Sequence, residues 1–264
     1  MKLRAAIATA AAVPLALGLT ACGGTESTGY RPSAPSFTPV SPIATTAPLK
    51  AASGAHLNTA SFMPAMKKGM AGKDTARLTM RMVAGRQTMT MAGVLSLDPL
   101  AAQLDMNGAE FGGRTKMILV DDVVYLSTPE LPAGKYVKID ANSDDPLARS
   151  LGELLEQMDP TKIYDAFDAG LQAAEYIKTE TLSGHKVDRY AVTVDVAAAL
   201  KAQGEKVPAG MPKHVVYTIW MGSKDHLMYK VSFDMQGVSA TMTATDWGKP
   251  VTIDAPAAKD IVSR

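Results

Sequence analysis

The sequence predicts an α+β domain built on one large antiparallel sheet whose apolar face is covered by helices. Three observations predict it: segments that alternate apolar and polar residues with period two, turn signals between them, and a pair of amphipathic helical segments between two runs of such strands. Strands and helices come in blocks and do not alternate, which argues against a parallel βαβ sheet. With 264 residues, 47% of them hydrophobic, the chain can bury one substantial core.

The chain opens with Lys2 and Arg4, then an apolar stretch from Ala5 to Leu19 that is shorter than the about 20 residues a membrane span needs. This is the anatomy of a signal peptide, residues 1–21. It ends in Leu19-Thr20-Ala21-Cys22, the pattern at which bacterial lipoprotein precursors are cleaved before a cysteine that carries diacylglycerol. Cys22 is the single cysteine, which excludes an internal disulfide and a Cys-based zinc site. Several acyl chains on one residue anchor stably, so the expected location is the outer face of the cytoplasmic membrane, held by a membrane lipid anchor. Residues 22–53, with Pro32, Pro35, Pro39, Pro42 and Pro48 and no apolar period, read as a tether. A flexible coil of that length has a root-mean-square span of roughly 30 Å.

The folded domain is expected over residues 54–264. Phe62, Met63, Met66 and Met70 fall at helical spacing, with Ser61 as cap and Pro64 in the first turn. In Thr75 to Met82, Ala76, Leu78, Met80 and Met82 alternate with threonine and arginine. Met89, Met91 and Leu95 alternate in the next strand, after a Gly85-Arg86 turn, and Asp98-Pro99 ends it. Further strands are expected at Ala102–Met106, Thr115–Val120, Val123–Ser127 and Tyr136–Ile139. Two helices follow: Leu147, Leu151, Leu154, Leu155 and Met158 share a face after Asp145-Pro146, and Ile163, Phe167 and Leu171 form a stripe after Asp159-Pro160. Strands resume at Glu175–Leu182 and Lys186–Asp195. A helix over Val196–Gln203 precedes the last strands, Val215–Met221, Leu227–Met235 and Val238–Trp247, with a tight turn at Gln236-Gly237. Pro250 and Pro256 make the tail an edge segment.

The Cys22 motif, the tether, Ser61-Phe62-Met63-Pro64-Ala65, the strand Ser183-Gly184-His185-Lys186-Val187-Asp188-Arg189-Tyr190-Ala191-Val192 and the end Asp246-Trp247-Gly248-Lys249-Pro250-Val251-Thr252-Ile253 together resemble the actinobacterial lipoproteins of the LppX/LprAFG type. The resemblance runs from about residue 55 to 262. It implies a LolA-like fold, in which a curved antiparallel sheet forms an unclosed half-barrel, helices plug its concave face, and acyl chains sit between sheet and helices. It transfers no catalytic residue.

On that reading the inward side chains are the candidate ligand contacts. They are Leu78, Met80 and Met82 of the first strand, Met89 and Met91 of the second, Leu104 and Met106, and Met117 and Leu119. The helices contribute Leu151, Leu155 and Phe167. The final strands contribute Ile219 and Met221, Val231, Phe233 and Met235, and Met242. Methionine is flexible and polarizable and suits a pocket for acyl chains of varied length, although an inward methionine on a half-buried strand is usually ordinary core. Alternation shows which side faces in, not whether that side is filled or hollow.

Composition excludes other classes. Lysine plus arginine number 27 against 26 aspartate plus glutamate, and removal of Lys2 and Arg4 leaves 25 against 26; no basic stripe suggests nucleic acid. His56, His185, His214 and His226 have no metal-ligand spacing. Ser183 with His185 and Ser223 with His226 lack a nucleophile elbow. Asp121-Asp122 and Asp144-Asp145 fit turns. No cofactor or metal is expected, nor an enzyme. The expected function is a lipid or acylated-amphiphile carrier, with an envelope transport or membrane protein as possible partner. The alternative is a packed structural or regulatory lipoprotein that binds another protein.

Overall fold

The computed structural model describes residues 56–140, 160–208, 210–235 and 237–262. Two meanders make one sheet. The first comprises β1 (Thr75–Ala84), β2 (Gln87–Leu97), β3 (Leu100–Gly108), β4 (Gly113–Val120), β5 (Val123–Ser127) and β6 (Tyr136–Asp140). The second comprises β7 (Leu171–Leu182), β8 (His185–Asp195), β9 (His214–Gly222), β10 (Met228–Met235) and β11 (Val238–Thr245). Within each meander every strand pairs with its sequence neighbour, and β1 pairs antiparallel with β11, joining the two meanders. The short β12 (Ile261–Val262) adds parallel to β6. The order β12-β6-β5-β4-β3-β2-β1-β11-β10-β9-β8-β7 does not return on itself, so this twelve-stranded sheet is open, with β12 and β7 at its edges.

Three helices stand among the described residues: α1 (Thr59–Met70), α2 (Pro160–Gly170) and α3 (Val196–Ala202). All three pack on one face of the sheet, the inner face. Phe62, Met63 and Met66 of α1, Phe167 of α2 and Val196, Ala199 and Leu200 of α3 share a core with Tyr190, Val192, Tyr217, Ile219 and Val231 of the strands. A second core on the β2–β6 half gathers Ala102, Leu104, Met106, Met117, Leu119, Val124 and Ile139.

The structure moves several boundaries. Asn58, not Ser61, is the cap of α1: its side chain accepts from the Ser61 N–H at 3.1 Å, and the Ser61 hydroxyl accepts from the Asn58 N–H at 2.9 Å. Ser61 thus completes a capping box from the third helical position. Pro64 consequently stands in the second turn, where its missing N–H forgoes one helix bond. Leu171 is not on the α2 stripe but begins β7. Gly170 forces this junction: a Cβ there would lie 2.7 Å from Val194 Cγ1 and 2.9 Å from the Asp195 carbonyl oxygen. Trp247 lies beyond β11, where its indole N–H donates to the Met228 carbonyl at 3.1 Å. Strands β3 and β4 run further than expected and pair through Gly108 and Gly113.

Turn chemistry agrees with the sequence. Asp121 and Asp122 both have positive φ, 53° and 58°, in the two-residue hairpin between β4 and β5. The helix expected around Leu151 and Leu155, the Asp144-Asp145 pair, and residues 1–53 lie outside the described residues.

Candidate apolar site on the inner face

Strand register places the predicted strand residues on one face. A single rank crosses nine strands: Tyr176, Tyr190, Ile219, Val231, Met242, Met80, Met91, Met106 and Thr115 stand opposite one another in turn. The rank on one side of it runs Leu78, Gly93, Leu104, Met117. On the other side Met82 faces Met89 and Ala240, and Ala240 faces Phe233. Met221, Leu119 and Met235 share this face by their alternation with Ile219, Met117 and Phe233. Met80, Met89, Leu104, Met106, Met117, Leu119, Phe167, Ile219, Met221, Val231 and Met235 are buried, while Leu78, Met82, Met91, Phe233 and Met242 are half-buried. The inner face is therefore continuous and almost wholly apolar.

Sheet and helices do not close completely over it. A cleft opens between Met66 and Met70 of α1, Ile163, Tyr164 and Phe167 of α2, and Ile219 and Met228 of the sheet. Its free volume is about 330 Å³ including the part open to solvent, and its enclosed part admits little more than a water molecule. Burial raises the Tyr164 hydroxyl above its usual range and pushes that of Tyr217, beneath Phe167, up to about 12.

Across the same two helices runs a polar link. The Lys67 ammonium lies 3.0 Å from the Asp168 carboxylate and 3.6 Å from that of Asp165. The hydrogen bond to Asp168 is the main reason the ammonium is held above its usual range.

Of the lining residues, sequence reading singled out Phe167 and Ile219 as ligand contacts and placed Met66, Met70 and Ile163 on helix stripes without assigning them to the site. Tyr164 and Met228 were missed. Met228 begins β10, and register beyond Gly222 to His226 was the only signal for it. Two polar arrangements were also invisible. His56 stacks on Tyr176 at 3.5 Å between ring centroids and lies 3.7 Å from Asp188, while Ser223 donates to Asp188 at 2.9 Å and not to His226. His185 stacks on Tyr229 at 4.3 Å. Among the described residues no group of three or more His, Cys, Asp or Glu side chains is arranged to hold a metal, and no helix is long and apolar enough to cross a membrane.

No protein-family model and no curated protein sequence matches the chain. Solved structures do. The lipoprotein LppX of Mycobacterium tuberculosis superposes with a TM-score of 0.54 at 14% identity, over 74% of this chain and 99% of its own. The chain has the LppX fold. LprF of Mycobacterium bovis gives a TM-score of 0.50 at 14% identity, over 75% of this chain and 98% of its own. At such identity the LppX fold is carried by the open sheet and its apolar inner face, since few side chains are shared.

Proposed function

We propose that this protein is an envelope lipoprotein, anchored through Cys22 outside the cytoplasmic membrane, that binds and carries lipids or other acylated amphiphiles without catalysing a reaction on them. The observation that carries the reading is the cleft. It lies between two helices and an apolar sheet face, it is lined by Met66, Met70, Ile163, Phe167, Ile219 and Met228 with Tyr164 as its one polar lining group, and it opens to solvent at one side. Acyl chains need no charged anchor there, since burial of apolar surface contributes about 25 cal/mol per Å². The headgroup stays at the mouth. The LppX fold supports the same reading.

The cleft is narrow as it stands, so entry of a chain requires α1 and α2 to part. Methionine linings adapt to such a change at small cost. The same narrowness favours the second reading, a packed lipoprotein whose work is done on its outer surface. Uptake of a fluorescent fatty acid or phospholipid by residues 22–264 carrying Cys22→Ser separates the two. The carrier takes up the probe, and Met70→Trp, which fills the cleft, abolishes uptake. A chain that takes up neither probe is the packed protein.

A further inference from the structure

One end of the sheet carries an outer surface unlike the rest. On the face away from the helices, Lys178 stands opposite Arg189, Arg189 opposite Trp220, and Trp220 opposite Lys230. This rank of β7–β10 holds two cations against one indole and a third, Lys178, beyond Arg189. The Lys230 ammonium lies 4.4 Å and the Arg189 guanidinium carbon 5.9 Å from the Trp220 ring centroid. Glu180, two residues along β7 and opposite Val187, is occupied from within: it accepts from the Trp220 indole N–H at 2.7 Å and pairs with Lys178 at 2.6 Å and Arg189 at 3.7 Å. Those contacts, that of Lys178 first, hold its carboxyl below the usual range. Ala191, Thr218 and Ser232 make the next rank of these strands neutral, and Glu175 and Asp234 lie at its margins. The cations thus form one narrow rank, with one carboxylate paired inside it and two more at its flank.

Beside the band an aliphatic side chain is uncovered. Ile177 is the residue left unpaired at the β7 bulge between Tyr176 and Lys178, and it is 45% exposed. A half-buried tryptophan flanked by long cationic stems, with an exposed isoleucine two strands away on the same edge of the sheet, is chemistry that settles at a headgroup layer. The bulge also spoils this edge for strand pairing with a second copy.

The path of the chain selects the occupant. His56, the first described residue, stacks on Tyr176, the neighbour of Ile177. The segment that carries Cys22 therefore joins the domain at the β7 edge, on the inner-face side of Tyr176, one residue from Ile177.

We propose that the outer face of β7–β10, centred on Trp220 with Lys178, Arg189, Lys230 and Ile177, seats on an anionic phospholipid bilayer. The inference rests on the Cys22 anchor for its geometry and is independent of lipid carriage. A tethered domain sits at high effective concentration over the bilayer, so weak docking suffices, and each cation near an anionic surface contributes roughly fivefold in partition.

The test uses residues 22–264 carrying Cys22→Ser, so that no acyl chain contributes, with vesicles of phosphatidylcholine alone or mixed with phosphatidylglycerol. The expected result is co-sedimentation with the mixed vesicles only, lost as salt is raised. Ile177→Asp with Lys230→Glu should weaken it about tenfold or more while thermal unfolding and fluorescent-lipid uptake stay as in the parent. Ile177→Asp alone, at an exposed position, guards against misfolding and should weaken it in part. Equal partition to both vesicle types, no partition to either, or full binding by the folded double variant would overturn the proposal, as would a dimer in light scattering that both substitutions disrupt. Docking without lipid uptake leaves the proposal standing and removes the carrier reading; uptake without docking does the reverse.

Discussion

Met80 stands directly opposite Met242 in the register of β1 and β11, and this pair lies on the seam where the first meander of the chain meets the second. Its neighbours in the same rank are Met91 and Val231, so the seam is apolar on the inner side. On the outer side Thr79 and Thr243, one residue along, are hydrogen-bonded hydroxyl to hydroxyl. The join that makes one sheet from two meanders is thus sealed by apolar contact inside and a threonine pair outside.

Core and cleft are distinguished by adding bulk. Met80 is buried, 6% exposed, so Met80→Trp should cost about 1–3 kcal/mol. Met70 is half-buried beside a cleft that opens to solvent, so a larger side chain can turn toward the opening and Met70→Trp should cost clearly less than Met80→Trp. Denaturant titration of both variants checks the contrast, and equal destabilisation would show that the cleft is filled core.

A second outcome concerns the link between α1 and α2. Lys67 with Asp165 and Asp168 is solvent-exposed, and such pairs contribute less than about 1 kcal/mol to stability. If the two helices part to admit a chain, Lys67→Ala should speed probe uptake and remove its dependence on salt while barely altering stability. Stopped-flow uptake at low and high salt reads this. An unchanged rate in the variant would place entry elsewhere.

Alkaline pH should destabilise the domain through its buried tyrosines. The Tyr217 hydroxyl titrates at about 12 in the fold and near 10 in an unfolded chain. Between those values the unfolded chain has released a proton that the fold retains. Stability is therefore intact below pH 10 and falls as pH rises toward 12, by roughly 2–3 kcal/mol from this group. Tyr217→Phe should flatten that fall when unfolding free energy is followed against pH; an unaltered slope would assign it to other groups, Tyr229 first, whose burial also raises it to about 12.

The anchor is tested at Cys22. Cys22→Ala should block acylation and leave the precursor uncleaved before residue 22, or release a soluble form. Metabolic labelling with a fatty acid reads it, and label that still appears on the variant would refute the assignment.

Much of the sheet was legible because its strands are wet on one side. Arg77, Thr79 and Arg81 alternating with Leu78, Met80 and Met82 show both period and face, and register then carries the assignment from strand to strand. What escaped depends on distant partners. Asn58 and Ser61 are both cap formers three residues apart, and only the reciprocal bonds decide between them. Gly170, which by itself weakens or ends a helix, is spanned by the Ile163, Phe167 and Leu171 stripe, and its role at the α2–β7 junction shows only once β8 is beside it. Gly93 hides in the alternation of β2, yet a Cβ there would meet the Gln103 carbonyl oxygen at 1.9 Å, so the strands approach there as only glycine allows. The cleft was legible only in part, since Met66, Met70 and Ile163 announce apolar helix faces but not that those faces stop short of the sheet.

Acyl chains on the inner face are read most directly by native mass spectrometry of residues 22–264 carrying Cys22→Ser, purified from a bacterial host without detergent. A carrier shows a population whose mass exceeds that of the polypeptide by one lipid, displaced by added fluorescent lipid and absent in Met70→Trp. A single mass equal to that of the bare chain, unchanged after incubation with phospholipid and fatty acid, would contradict the carrier reading.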